Sequence, residues 1–396
     1  MRILICSIYS PSGTDGVSNS TRQLVSAMKE KGIHVTVCTT SLGWNENEIE
    51  TGKTSDVKVF KAMFNNSFEF SLEMLKYLKN RIKDYDFVHF NSLYSFATVV
   101  GSHYAREYNV PYLVSPHGNT VPYILSEFIK IRSSIKKALF FRMLSRKSII
   151  KADAVLCSSQ TEGNSIGRHL NGKHISVINN GLDLSPFLTG NSEVDIISDR
   201  LGISKDKDVF LFIGRLSQEK AIPFLLDVWN ETEKDIPNGV LVIGGSGQSS
   251  VFKLIRRKIG NLNNPGKVIT PGEIIGDLKV AILKRAKCLL LPSYFESFGN
   301  VVLESLACGT PVLTSTGTRW KMLENEKLGF WLPHNIESWS SAIKIAADDK
   351  SYNTSEFLLR SRKWVQDNYD WDAIAQQHIE LYKNILSINK RENYEI

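Results

Sequence analysis

The chain has 396 residues, which exceeds the usual size of one domain and predicts two. Its content of 42% hydrophobic and 22% charged residues is typical of an ordinary globular protein. A net charge of +7 and a pI near 9.0 leave nucleic acid, anionic lipid and phosphorylated substrates open as partners. No stretch approaches the roughly 18 apolar residues of a membrane span, so any membrane contact is predicted to be peripheral.

The cysteines lie mostly in or beside apolar runs, and their number is odd. Because the number of cysteines is odd and they are not closely paired along the chain, we predict reduced, buried thiols and a cytoplasmic location. Residues 1–8 form a short apolar run that polar residues follow at once, so a strand rather than a signal peptide is predicted there. The five cysteines are Cys6, Cys38, Cys157, Cys288 and Cys308.

The first half of the chain alternates short apolar runs with helical patterns, which predicts a parallel sheet. A strand at 2–8, a glycine-rich turn at 10–16, a helix at 17–31 and a strand at 35–39 form the opening βαβ unit of a doubly wound sheet. The turn has no Gly-x-Gly-x-x-Gly, so a dinucleotide-binding fingerprint is not supported. Further strands are predicted at 56–63, 87–90, 111–115 and 154–158, with a helix at 70–83.

A histidine follows the predicted strand at 111–115, in Pro116-His117-Gly118-Asn119. A lone histidine is more often structural than catalytic. His117, however, comes between a buried strand and a glycine, at the sheet edge where α/β proteins bind ligands. The sequence therefore leaves two interpretations, a ligand contact and a structural histidine.

Residues 126–151 are the most basic segment, with one acid, Glu127, among eight cations. Apolar residues recur between the cations, as in basic amphipathic helices that lie on anionic membranes. A solvated face on a core helix is the alternative. The eight cations are Lys130, Arg132, Lys136, Lys137, Arg142, Arg146, Lys147 and Lys151.

A second α/β unit is predicted to begin with a strand at 209–213, and the loop after it contains Arg215 and Lys220. Two cations in a loop are usually surface charges, but after a buried strand they can bind phosphate. Further elements are predicted as strands at 239–243 and within 267–274, and helices at 278–286 and 371–386.

Residues 288–313 predict a strand, a loop, a helix and a second strand. Helical spacing starts after Gly299 and stops at Gly309. Free backbone N–H groups at a helix start favour an anion, often a phosphate. Glu296 in the loop and Glu304 one to two turns into the helix can face one ligand. The alternative is an ordinary βαβ unit with surface carboxylates.

Residues 292–312 read PSYFESFGNVVLESLACGTPV. With seven residues between Glu296 and Glu304, this pattern resembles the donor-site signature of the family 4 retaining glycosyltransferases of GT-B fold. A bare pair of glutamates at this spacing is common by chance, whereas the full pattern is not. The resemblance implies an α/β protein with two Rossmann-like, doubly wound domains that face a central cleft.

The resemblance also implies a division of labour between the domains. An acceptor domain is expected at 1–180, completed by a C-terminal helix at 371–388, and a nucleotide-sugar donor domain at 181–370. The Asn-Gly-Leu-Asp at 180–183 resembles the family's domain crossing. Pro-His-Gly at 116–118, together with TSTGTRW at 314–320, resembles the pattern of a subgroup that builds bacterial surface polysaccharides.

Two positions depart from the family pattern. The first loop usually carries paired glycines, and here Asp15 precedes Gly16. The loop that carries Arg215 usually ends in Lys-Gly, and here Ala221 follows Lys220. Alanine is a small change, so close approach of the backbone to a ligand is only mildly affected.

The resemblance assigns roles to individual residues. The two loop cations and the helix start would stabilise the leaving diphosphate, Glu304 would hold the ribose hydroxyls, and Glu296 those of the donor sugar. The histidine would lie beside that sugar. The predicted catalytic residues are Arg215, Lys220, Glu296 and His117, and the predicted donor-binding residues are Gly16, Phe298, Gly299, Asn300, Val301 and Glu304.

A metal ion is not predicted. Asp206-x-Asp208 and Asp370-x-Asp372 match the Asp-x-Asp of metal-dependent glycosyltransferases, but both fall outside the ligand edge. The prediction is a retaining, metal-independent hexosyltransferase without a cofactor, which uses a UDP- or GDP-linked sugar.

The predicted acceptor is a saccharide or a lipid-linked saccharide in bacterial surface-polysaccharide synthesis. No nucleic acid partner is predicted. The predicted location is the cytoplasm, peripheral on the inner face of the membrane. A sugar-nucleotide epimerase of the same fold and a non-enzymatic nucleotide-binding protein are the alternatives. Intact cations and glutamates at the site argue against the second.

Overall fold

A computed structural model describes residues 1–10, 16–42, 44, 56–64, 68–117, 144–167, 170, 174–188, 193–247 and 249–392. The chain forms two compact units. One consists of Met1–Gly181 and Trp371–Ile396, and the other of Leu182–Asp370. Each unit is built around its own parallel sheet.

In the first unit, the described residues form a sheet of seven strands in the order β3-β2-β1-β4-β5-β6-β7. The central strand β1 pairs with β2 and β4, so that Ile3 lies opposite Val35 on one side and Phe87 on the other. These three side chains are buried, as expected for strands covered on both faces. The strands are β1 (Arg2–Cys6), β2 (His34–Thr40), β3 (Val57–Phe60), β4 (Phe87–Phe90), β5 (Tyr112–Val114), β6 (Ala154–Cys157) and β7 (Ile175–Val177).

Helices connect these strands and cover both faces of the sheet. Two of them begin with serine caps: Ser71 accepts a hydrogen bond from Met74 N at 3.3 Å, and Ser95 accepts one from Thr98 N at 3.2 Å. The helices of the first unit are α1 (Gly16–Glu30), α2 (Leu72–Arg81), α3 (Phe96–Glu107), α4 (Arg146–Ile150) and α5 (Gln160–Gly167), with the C-terminal helix Trp371–Glu392.

The C-terminal helix belongs to the first unit because its apolar face completes that core. Tyr382 stacks on Phe87 with ring centroids 4.7 Å apart, and the Trp371 indole donates a hydrogen bond to Gln23. Ile374 and Ile379 join the same buried cluster.

The described part of the second unit forms a sheet of six strands in the order β10-β9-β8-β11-β12-β13. The central strand β8 pairs with β9 and β11, and Leu211 lies opposite Val242 and Leu289. The order reverses between β8 and β11, which is where doubly wound sheets bind ligands. The strands are β8 (Asp208–Ile213), β9 (Gly239–Gly244), β10 (Val268–Gly272), β11 (Ala286–Leu291), β12 (Val312–Ser315) and β13 (Gly329–Leu332).

The helices of the second unit pack on this sheet around one buried cluster that includes Trp229, Trp320 and Trp339. In chain order they are α6 (Ser185–Leu188), α7 (Glu193–Leu201), α8 (Ile222–Thr232), α9 (Ser249–Gly260), α10 (Gly276–Arg285), α11 (Asn300–Ala307), α12 (Met322–Asn325), α13 (Ile336–Asp348) and α14 (Ser355–Tyr369). The C-terminal helix Trp371–Glu392 is α15.

The predicted fold class of two Rossmann-like α/β domains is confirmed. The strands β7 and β13 were not predicted, because their side chains are only partly buried and give a weak apolar signal. All five cysteines are free and buried, as predicted. Most of the basic segment, residues 126–143, lies outside the described residues. Within the described residues, no helix is both long and apolar enough to cross a membrane.

Candidate active site

The candidate site lies at the carboxyl ends of β8, β11 and β12, which are neighbours in the second sheet. The loop after β8 carries Arg215 and Lys220, and the loop after β11 carries Glu296. The two loops are joined by a hydrogen bond of 2.8 Å from Tyr294 N to Glu219 O. Parallel strands end at the same edge, so residues distant in the chain meet here.

Lys220 and Glu296 form the centre of this edge. The Lys220 ammonium contacts Glu296 Oε1, and Ser293 Oγ donates to the same oxygen at 2.8 Å. Only 14% of the lysine side chain and 9% of the glutamate side chain are exposed. Burial on this scale makes each charge depend on the other, because an unpaired charge is costly away from water.

Arg215 lies farther out in the same loop. Its guanidinium is 3.1 Å from Glu219 Oε1, and 74% of its side chain is exposed. The pKa of Glu219 is lower than its usual value. Burial acts to raise it, but hydrogen bonds from Ser217 and the Glu219 backbone, together with the charges of Arg215 and Lys220, outweigh that effect. Glu219 is therefore ionised and holds the arginine at the rim of the site.

Ala221 ends this loop in a left-handed conformation, with φ of 51°. Alanine rarely adopts this region because its Cβ approaches the backbone, whereas glycine does so freely. The position therefore has the backbone for which the family's glycine is suited. The exchange for alanine keeps the geometry and adds strain.

Helix α11 starts from a second left-handed residue, Gly299, with φ of 86°. A Cβ at Gly299 would lie 3.3 Å from the Trp320 indole nitrogen, which donates to Phe298 O at 2.7 Å. Asn300 and Val301 form the first turn of the helix. N–H groups in the first turn of a helix lack partners within the helix, so they favour an anion.

Phe298 differs from the other predicted donor-binding residues. Its side chain is 2% exposed and packs edge-on against Trp320 and Tyr369, at centroid distances of 5.3 Å and 5.9 Å. The ring therefore belongs to the core. Only the backbone of Phe298 can take part in a ligand site.

Glu304 is buried one turn into α11, with 7% of its side chain exposed. Its Oε2 lies 2.6 Å from the ammonium of Lys279, which belongs to the first turn of α10. The distance is that of a close ion pair, although the contact lacks the alignment of a hydrogen bond. The two charges still attract each other at this distance, because the attraction between charges does not require alignment. Lys279 was not predicted as a site residue, since it stands far from Glu304 in the chain.

Gly317 is a second residue that the sequence did not single out. A Cβ there would overlap the carbonyl oxygen of Tyr294 and lie 2.8 Å from that of Ser293. Gly317 N donates to Ser315 Oγ at 3.3 Å, and Ser315 Oγ donates to Ser293 O. The loop after β12 therefore supports the loop that carries Glu296. The glycine in TSTGTRW was the available signal, but the sequence does not show that it packs against the carbonyl oxygen of Tyr294.

Two predicted site residues belong to the first unit. Gly16 is exposed and forms the first residue of α1. His117 follows β5 with a left-handed φ of 47° and lines a cavity of about 20 Å³. A residue other than glycine rarely adopts this region, although Asn109, Lys327 and Asn353 also do so away from the site.

A buried histidine lies beneath His117. His89 Nε2 is 2.7 Å from Ser115 Oγ and its Nδ1 is 2.8 Å from Tyr382 Oη. Burial, with the nearby rings of His378 and His117, holds the pKa of His89 well below its usual value. His378 is also buried, and its pKa falls to about 4. Both rings are therefore neutral at physiological pH and act as polar supports of the cavity.

Comparison with known proteins gives two matches that fall in the two units. The Glycosyltransferase Family 4 model matches residues 14–186, and the model for Glycosyl transferases group 1 matches residues 193–357. Between them, these two models of glycosyltransferase families match most of the chain, one in each half. Among similar proteins, an uncharacterized glycosyltransferase of Methanocaldococcus jannaschii is 30% identical over 53% of this chain and 54% of its own.

A D-inositol 3-phosphate glycosyltransferase of Kineococcus radiotolerans is 28% identical over 53% of this chain and 51% of its own. The chain spans about half the length of the first curated relatives it matches. A crystal structure of Anabaena HepE in complex with UDP-glucose shares the fold, with a TM-score of 0.75 and 18% identity. The match covers 97% of this chain and 100% of that one.

The described residues of the chain contain no group of three or more histidine, cysteine, aspartate or glutamate side chains that could hold a metal ion. The predicted site residues of the second unit lie along one edge, whereas Gly16 and His117 lie at the first sheet. The roles assigned to all of them remain predictions.

Proposed function

We propose that the protein is a retaining glycosyltransferase that transfers a hexose from a nucleoside-diphosphate sugar to a saccharide. One observation carries the proposal: Arg215, Lys220 and the start of α11 lie at one edge, after strands β8 and β11. Cations and helix-start N–H groups together are suited to a diphosphate.

The diphosphate gains negative charge as the glycosidic bond to the sugar breaks. Groups already aimed at that charge lower the barrier without reorganising, and electrostatic stabilisation of this kind is often the largest catalytic contribution. Lys220 is well placed for this role because it is largely buried and held by Glu296. Arg215 would add a more exposed positive charge at the rim.

The two glutamates of the motif would bind hydroxyl groups of the donor. We propose that Glu296 accepts hydrogen bonds from the sugar and Glu304 from the ribose, in line with the family resemblance. Both are buried and each contacts a lysine, and the oxygens of a carboxylate are hydrogen-bond acceptors. HepE, which has the same fold, has been crystallised with UDP-glucose. His117 is kept as a predicted contact of the donor sugar.

Proton NMR of donor hydrolysis tests the activity and its stereochemistry. The protein is incubated with UDP-glucose or GDP-mannose in EDTA, with water as a slow acceptor. We expect release of the nucleoside diphosphate and an α-configured sugar at early times. A β-configured product would contradict retention, and activity that needs added manganese or magnesium would contradict metal independence. An isomerised sugar still attached to the nucleotide would indicate an epimerase.

The acceptor is proposed to be a lipid-linked saccharide of a bacterial surface polysaccharide, assembled at the cytoplasmic face of the membrane. This part rests on the sequence pattern and on the basic segment 126–151. The relative from Kineococcus radiotolerans is named for a different acceptor, D-inositol 3-phosphate.

Vesicle binding tests the membrane contact. We expect salt-sensitive pelleting with phosphatidylglycerol vesicles, because each cation near an anionic surface contributes about 1 kcal/mol that salt screens. A variant with Lys136, Lys137, Arg142 and Arg146 changed to glutamate should no longer pellet. The control changes Lys61, Lys76, Lys79 and Lys83, which are exposed in the first unit, to glutamate. Equal pelleting of the first variant and the wild type would mean that the segment is only a solvated face.

A further inference from the structure

We infer that Lys279 is a positioning residue for nucleotide recognition, which fixes the Glu304 carboxylate so that it can discriminate a ribose from a deoxyribose. The inference rests on the proposed function, which assigns Glu304 to the ribose. The ammonium of Lys279 lies 2.6 Å from Glu304 Oε2.

The ion pair stands next to a packing contact between α10 and the chain at the end of α11. Thr310 Oγ1 donates to Leu283 O, and Cys308 Sγ approaches Val280 O at 4.0 Å. These contacts follow Lys279 and Glu304 in the chain, and they fix the two helices against each other on that side of the pair. A short flexible lysine contact on a free surface would have no such support.

The position of Lys279 is unusual for a lysine that serves helix stability alone. It lies in the first turn of α10, where the helix dipole disfavours a cation. The same turn contains Asp277, whose charge suits the dipole. A cation in this turn is explained by its partner, since a buried carboxylate requires a counter-charge.

The pair has two consequences for a bound nucleotide. With Oε2 held by the ammonium, rotation of the carboxylate is restricted and Oε1 is presented in one orientation. The lysine also offsets a negative charge close to the expected diphosphate. Glu219, Glu296 and Glu304 each face a cation, so the edge can bind an anion despite its acids.

Calorimetric titration with ribonucleotides and deoxyribonucleotides tests this role. The probes are UDP with 2′-deoxy-UDP and GDP with 2′-deoxy-GDP. Hydrogen bonds to a charged group account for roughly 10- to 100-fold in affinity, so the wild type should bind the ribose form at least about tenfold more tightly. In Lys279→Met, which keeps the length of the stem, the ratio should fall below about threefold. Lys279→Arg should restore it.

Lys258→Met is the matched control. Lys258 lies 2.6 Å from Asp227, with 28% of its side chain exposed, against 25% for Lys279, and it joins α9 to α8. Loss of a lysine that is similarly exposed but lies away from the ligand edge, beside an aspartate that is 47% exposed, should leave the ratio unchanged. If Lys279→Met does not fold, Lys279→Gln carries the same test.

The outcomes separate the inference from the proposed function. Absence of binding by either diphosphate would contradict both. Binding with a wild-type ratio that persists in Lys279→Met would overturn the inference alone. A ratio near one in the wild type would remove Glu304 from ribose recognition and the inference with it.

Discussion

Replacement of Lys220 by alanine is expected to lower kcat for donor cleavage by roughly 10²–10³, the effect of losing one preorganised group that stabilises developing charge. It should also destabilise the fold by about 3 kcal/mol, because Glu296 would be left buried without its counter-charge. Steady-state kinetics and urea unfolding measure the two effects. Because Lys220 is buried against Glu296, its influence on folding exceeds that of an ordinary surface cation.

Lys267→Ala is the matched control for this experiment. Lys267 lies 3.1 Å from Glu233 Oε2, and the two side chains are 27% and 4% exposed. It precedes β10, at the opposite end of the strand from the ligand edge. The Lys267→Ala variant should therefore be less stable than the wild type, without a comparable loss of kcat. If Lys220→Ala stays within about threefold of the wild-type kcat, Lys220 has no part in catalysis.

Replacement of Gly317 by alanine is expected to reduce kcat/KM for the donor at least about 100-fold, although Gly317 carries no functional group. Its new Cβ would overlap the carbonyl oxygen of Tyr294 and displace the loop that holds Glu296. Misplacement of a site by about 1 Å can cost on the order of 10² in rate. Overpacking should also cost about 1–3 kcal/mol of stability. Kinetics with donor, alongside urea unfolding, measure both.

Gly266→Ala provides the comparison, because a Cβ at Gly266 meets no atom within 4 Å. It should retain wild-type kinetics. Wild-type kcat/KM in Gly317→Ala would show that the two loops adjust independently, and that the loop after β12 does not support the site.

Most of the fold could be predicted because the strands are apolar runs of a length typical of parallel sheets. β4 occurs at the predicted residues, and β8 extends by one residue beyond the predicted strand. β7 has only three residues and β13 four, and both are largely half-buried. The partial burial of these strands comes from the neighbouring strand and not from an apolar pattern in their own residues. The sequence therefore did not indicate them.

The residues of the candidate site could be predicted in part, but their pairing could not. The pattern around Glu296 and Glu304 indicated which acids matter, whereas the lysine that each acid contacts depends on how the loops and helices pack. Phe298 stands in the same motif, yet its ring fills the core. A motif gives the order of residues along the chain and does not state which side of the backbone faces the ligand.

Thermal unfolding with nucleoside diphosphates tests the central claim most directly, that this edge of the second unit binds a diphosphate. At 100 times its Kd, a ligand stabilises the folded state by about 2.7 kcal/mol, which raises Tm by a few degrees. UDP or GDP should produce that shift in the wild type and in Lys267→Ala, but not in Lys220→Ala at the same concentration. No shift with either nucleotide, or an equal shift in Lys220→Ala, would contradict the claim.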